Sequence, residues 1–141
     1  MPIVRLLTIV LILGGAAASA RAELPAADRD AIEATISAQI EAFRRDDGEA
    51  AFAFAAPGIR AQFGDSETFM AMVRGGYAAV YRPRAVRFLA LSMGDGVPTQ
   101  EVLVVGPDGA PYFALYMMER QADGSWHIGG VALVRAEDEE T

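Results

Sequence analysis

The chain has 141 residues, with 12 Lys plus Arg against 19 Asp plus Glu and a formal charge of −7. So acidic a protein repels phosphate backbones and anionic membrane surfaces, which argues against a nucleic-acid partner. The absence of cysteine excludes disulfides, thiolate metal sites and a cysteine-linked lipid anchor.

Residues 1–22, MPIVRLLTIVLILGGAAASARA, have the layout of a secretory signal peptide. A charge at Arg5 precedes an apolar run from Leu6 to Leu13, and small residues follow with overlapping A-x-A sites ending at Ala20 and Ala22. Cleavage after either would release a periplasmic or secreted protein with no stable membrane insertion. An uncleaved anchor is the alternative, but a spanning helix needs about 20 apolar residues and Gly14-Gly15 interrupt the run.

A single domain is expected over residues 23–135. Ile32, Ile36, Ile40 and Phe43 form one apolar stripe of a helix beginning near Asp28 and ending near Arg44-Arg45. Asp46-Asp47-Gly48 breaks it. A second short helix is expected over EAAFAFAA, with Asp46 and Glu49 spaced as a capping box and Pro57 closing it. PGIRAQFG can add one turn, ended by Gly64. A third substantial helix starts at Asp65 or Ser66, with Phe69, Met72, Val73 and Gly76 on one face and Gly75-Gly76 as the stop.

After Pro83 the pattern changes to alternation. Four strands are expected, at 84–93, 100–105, 112–119 and 126–134, and each separator carries Asp-Gly, a dipeptide suited to tight hairpins. Such short loops require antiparallel neighbours. Helices followed by a four-stranded meander give an α+β fold with the helices on one sheet face. Gly129-Gly130 suggests a bulge or bend in the last strand. Residues 136–141 read as an acidic, solvated, disordered tail.

This order of elements and the closing DGSWHI strand resemble the nuclear-transport-factor-2-like superfamily. More narrowly, SAQIEAFRRDDGEAAFAFAAPGIRAQFG, FMAMVRGGYAAVYRPR and EVLVVGPDGAPYFALYMMERQADGSWHIGGVALV resemble the domain of unknown function 4864 family of exported bacterial proteins. The resemblance implies a curved sheet wrapping a helix around a conical cavity, and export. It implies no activity and no catalytic residues.

The residues themselves offer little catalytic chemistry. One His and no metal-ligand spacing leave no expected metal site or cofactor. No serine has a visible base and orienting acid. A cavity base would need a carboxylate inside the sheet, and Glu101 and Glu119 are expected at strand ends. Tyr77, Tyr81, Arg82, Arg84 and Arg87 can form an anion clamp at a cavity mouth, or the arginines can pair with surface acids. Tyr116 is a candidate cavity wall.

His127 is set by the register of the last hairpin. A two-residue loop places it opposite Arg120, and a three-residue loop with Gly124 left-handed places it opposite Glu119. Tyr112, Tyr116 and Met118 alternate with Phe113, Leu115 and Met117, so both sheet faces are apolar or amphipathic. The second face calls for a cover, most simply a homodimer partner, or its tyrosines tolerate water. The functional expectation is non-catalytic binding of an unknown small molecule or protein through the cavity or sheet, with Tyr77, Tyr81, Arg82, Tyr116 and His127 as candidate contacts. A small isomerase or hydrolase-like enzyme and a structural dimer with a filled core are the alternatives.

Overall fold

A computed structural model describes residues 23–136. The proposed signal peptide and residues 137–141 of the acidic tail lie outside them. Helix α1 spans Ala26–Arg44 and buries Ile32, Ile36, Ile40 and Phe43 as the stripe requires, with Gln39 and Ala42 beside them. Each of the large apolar side chains contributes about 1.5–3 kcal/mol by leaving water.

The turn after α1 differs from the expected break. Asp46 N–H donates to Phe43 O, and Asp47 N–H donates to Ala42 O. That pair of bonds is a Schellman closure, with Asp46 at φ 53° in the left-handed position that glycine usually takes. Asp47, not Asp46, therefore caps helix α2, Gly48–Ala53, accepting from Ala50 N–H at 3.1 Å. Pro57 does not close α2. It opens helix α3, Pro57–Phe63, at a first-turn position where its missing N–H costs nothing. Gly64, at φ 82°, ends α3. Asp65 then caps α4, Ser66–Gly76, by accepting from Thr68 N–H at 2.7 Å. A four-residue helix, α5 at Ala78–Tyr81, leads into the sheet.

Strands β1 (Ala85–Gly94), β2 (Val97–Val105), β3 (Pro111–Arg120) and β4 (Trp126–Arg135) pair antiparallel in chain order. The α+β class read from the sequence is the class observed. The first hairpin turns tighter than expected. Asp95 and Gly96 both have positive φ, at 51° and 78°, the signature of a two-residue type I′ turn. Strand β2 consequently starts at Val97 rather than Gln100, with Val97 opposite Gly94. Glu101 therefore lies in mid-strand and not at an end, but on the face away from the helices.

Two irregularities interrupt the ladder. On β1 the register shifts between Phe88 and Leu91, where Leu89 and Ala90 stand against Glu101 alone. On β4, Met117 faces Gly130 and Met118 faces Ile128, which leaves Gly129 as an extra residue. Bulges of this kind increase local twist and bend a strand.

All the helices pack on one sheet face. That face presents Val102, Val104, Ala114, Tyr116, Met118 and Ile128 to α1, α2, α4 and α5, and all six are buried. Trp126 closes one end of this core. Its Nε1–H donates to Asp28 Oδ1 at 3.3 Å, and Arg120 reaches the same oxygen at 2.6 Å, which ties α1 to the last hairpin. The link between α2 and α3 runs along the free edge of β4. There Ile128 N–H donates to Phe54 O, and Ala56 N–H donates to Ile128 O, both at 2.8 Å.

Candidate functional site

Between that free edge and the helices lies a cleft of about 350 Å³. Its volume is at the small end of the ~300–1,000 Å³ found for small-molecule sites. Helix α1 supplies Gln39 and Phe43, α3 supplies Ile59, Gln62 and Phe63, and α4 supplies Phe69, Met72 and Val73. Tyr77 and Val80 close one side, and Ile128, Gly130, Val131 and Met117 form the sheet wall. No Asp, Glu, Arg or His stands in the lining. Phe69 is the centre of its aromatic wall, with ring centroids 5.3 Å from Phe52, 5.9 Å from Phe63 and 6.2 Å from Phe43.

Glycine shapes the sheet wall. Met117 points from the outer face, yet its Cε lies 2.8 Å from where a Cβ on Gly130 would stand. Because Gly130 has no side chain, Met117 can lie across β4 and reach the cleft. Gly129 is covered in the same way by the Glu119 side chain.

Gln39 is the one polar side chain buried in this wall, at 3% exposure. Its Nε2 donates to Ala51 O at 3.1 Å, a bond only the nitrogen end of the amide can make. That bond orients the amide. Gln62 is exposed at the rim and Tyr77 is half-buried, so water reaches both.

Among the five candidate contacts named from sequence, only Tyr77 lines the cleft. Tyr81 and Arg82 lie at the C-terminus of α1. Tyr81 OH donates to the Asp46 carboxylate, Arg82 Nη2 reaches Asp46 Oδ2 at 2.8 Å, and Arg82 Nη1 donates to Phe43 O. The guanidinium stacks 4.1 Å from the Tyr81 ring centroid. These groups hold Asp46 in its left-handed turn, and the Tyr81 hydroxyl followed by Arg82 lowers the Asp46 carboxyl below its usual range. Arg87 lies on the outer sheet face opposite Leu103, and Arg84 sits by Gly109, so the three arginines diverge rather than form a clamp.

Tyr116 lies under the helices, not at the cleft. It is fully buried, its hydroxyl has no partner among the described residues, and burial pushes its phenol upward. His127 follows the three-residue loop: Gly124 has φ 85°, Gln121 N–H donates to Ser125 O, and Glu119 faces His127. Its Nδ1 stands 3.2 Å from Ala55 O, a fit for the Nδ1–H tautomer as donor. His127 thus helps fasten the α2–α3 link to β4.

A second hollow, about 470 Å³, lies between Gly75-Gly76 and the β2–β3 loop. It is larger but offers less. Glycine and alanine make up most of its lining, and its acid, Asp108, already accepts from Ala110 N–H at 2.9 Å. Among the described residues, no cluster of three or more His, Asp or Glu is placed to hold a metal ion, and no helix is long and apolar enough to cross a membrane.

Residues 25–141 match the family described as Domain of unknown function (DUF4864). The chain belongs to that family. No curated protein and no solved structure matches it. In this DUF4864 chain the buried polar site residue that sequence reasoning missed is Gln39. A signal for it was present: an uncharged polar residue three positions after Ile36 and four before Phe43 sits inside the buried stripe of α1.

Proposed function

We propose that this protein is a non-catalytic binder of a small, largely apolar ligand held in the cleft between α1, α3, α4 and the edge of β4. One observation carries the reading: a cleft of about 350 Å³ walled by aromatic and aliphatic side chains, with no charged group in its lining. A pocket of that composition gains by excluding water and supplies no carboxylate or imidazole as general acid or base. The enzyme alternative needs a carboxylate or imidazole facing the cavity, and the lining has neither.

The bulges in β1 and β4, a kind of irregularity that twists and bends strands, support the cone-shaped fold of the nuclear-transport-factor-2-like superfamily. The charge, apolar run and A-x-A sites of residues 1–22 support export to the periplasm or beyond. Native mass spectrometry of protein purified from its own periplasm tests the whole reading. A retained small molecule supports it, and bare protein under conditions that preserve ligands counts against it.

A second reading concerns the outer sheet face, which no helix of the described residues covers. Leu103, Phe113, Leu115 and Ala132 lie there, with Val134 49% and Met117 39% exposed. The occupant we propose is a second copy of this chain. Arg87 and Glu101 lie on this face with opposite charge, and neither joins an ion pair among the described residues. A two-fold contact can set Arg87 of each copy against Glu101 of the other. Four strands ~4.8 Å apart, three of 10 residues and one of 9, give a footprint of roughly 600 Å² before side-chain relief. A standard interface buries about 800 Å² per partner, so the face is of the right order.

A further inference from the structure

The proposal that follows rests on the cleft-binding reading and specifies what the cleft selects. Gln39 is buried at 3% exposure, and one of its amide hydrogens is committed to Ala51 O. Its Oε1 accepts no hydrogen bond from any described residue. Yet the Tyr116 hydroxyl is the one side-chain polar atom, among the described residues, that is both fully enclosed and unpartnered. Oε1 therefore is not sealed off, and Gln39 lines the cleft. The amide cannot turn to hide the oxygen, because Ala51 O would then face a second acceptor.

An acceptor held in an apolar wall discriminates by what it leaves unpaired. A ligand that donates to Oε1 satisfies it, whereas one that only fills the space strips away its water and leaves it bare. A carboxylate or phosphate meets the oxygen's negative end with no cation in the lining to compensate. We propose that the cleft takes an uncharged ligand that places a hydroxyl or N–H donor on Gln39 Oε1 and its apolar body against Phe43, Phe69 and Val73.

The test uses three probes of similar size on the full chain: 1-naphthol, 1-methylnaphthalene and 1-naphthoate, followed by NMR titration so that shifted signals locate the site. Without a hydrogen bond the methyl compound, being more apolar, binds tighter than the naphthol. The expected result is the reverse, naphthol tighter by about tenfold, with naphthoate weakest of the three. In Gln39→Leu the naphthol advantage disappears while 1-methylnaphthalene binds at least as well as before. Equal or inverted affinities of the two neutral probes for the native chain, with signals shifting in the cleft, overturn the donor requirement and leave cleft binding standing. Tightest binding of naphthoate overturns it too. Failure of all three probes to shift cleft signals overturns both readings. The comparison on the native chain decides the matter even if Gln39→Leu does not fold.

Discussion

Gln100, buried in β2, donates its side-chain Nε2 to the Leu89 carbonyl of β1 at 3.1 Å. The same nitrogen reaches Glu101 O at 2.9 Å. Leu89 is one of the two residues that bulge out of register with β2, where the regular ladder is interrupted. The glutamine side chain gives the Leu89 carbonyl a donor there. Gln100→Leu removes that donor, and stability should fall by about 1–3 kcal/mol in urea unfolding. A change within error would mean that water serves the carbonyl equally well.

Tyr116→Phe is expected to act in the opposite direction from most core substitutions. The hydroxyl is enclosed without a partner among the described residues, and such a group costs about 1–3 kcal/mol against water. Removing it while keeping the ring should leave stability unchanged or raise it by up to about 2 kcal/mol. A clear loss of stability in the same urea assay would show that the hydroxyl has a bond.

Acid should weaken the fold through three aspartates that cap or brace turns. Asp46 is lowered chiefly by the Tyr81 hydroxyl, Asp65 by the Thr68 backbone N–H, and Asp123 by the Ser125 hydroxyl. A carboxyl whose folded pKa lies below its unfolded value binds fewer protons when folded. Its contribution is therefore complete above the ordinary value of 3.8 and is lost as pH falls through the lower folded value. Thermal midpoints should hold above about pH 5 and drop below pH 4, with a shallower drop in Asp65→Asn. An equally steep drop in that variant would remove Asp65 from the explanation.

The uncovered sheet face predicts a charge-swap result. Arg87→Glu sets like charges against Glu101 across the two-fold contact and should shift a dimer toward monomer in sedimentation velocity. Arg87→Glu combined with Glu101→Arg should restore the dimer. A native protein that sediments as a monomer at micromolar concentration would sink the second-copy reading.

Much of this architecture is local, and local features are legible in residues. The α1 stripe, the Asp65 cap, the Gly64 stop and the Asp-Gly turns each follow from a few neighbouring side chains. The doubled glycine at 129–130 pointed to the β4 bulge, but nothing local marked the one at Leu89-Ala90, because its filler, Gln100, comes from another strand. Asp46 misled for a related reason. A left-handed aspartate is held by Tyr81 and Arg82, residues 35 and 36 positions away.

The candidate site divides along the same line. Tyr77 was readable as a wall because it stands where helix gives way to sheet. Arg82 and Tyr81 had the chemistry of a clamp, but Asp46, in the turn after α1, claims both first. Gln39 carries no chemistry that stands out in a sequence, and its meaning comes from Ala51 O on one side and a hollow on the other.

Sequence alone determined the α+β class, the order of elements and the strand alternation, because periodicity and turn chemistry act between near neighbours. It also narrowed His127 to two partners. Only the tertiary structure decided between them, set Gln39 in the cleft wall and put the described helices on one sheet face. Those outcomes depend on which surfaces meet after the chain has folded back on itself, and hydrogen bonds between distant segments decide that.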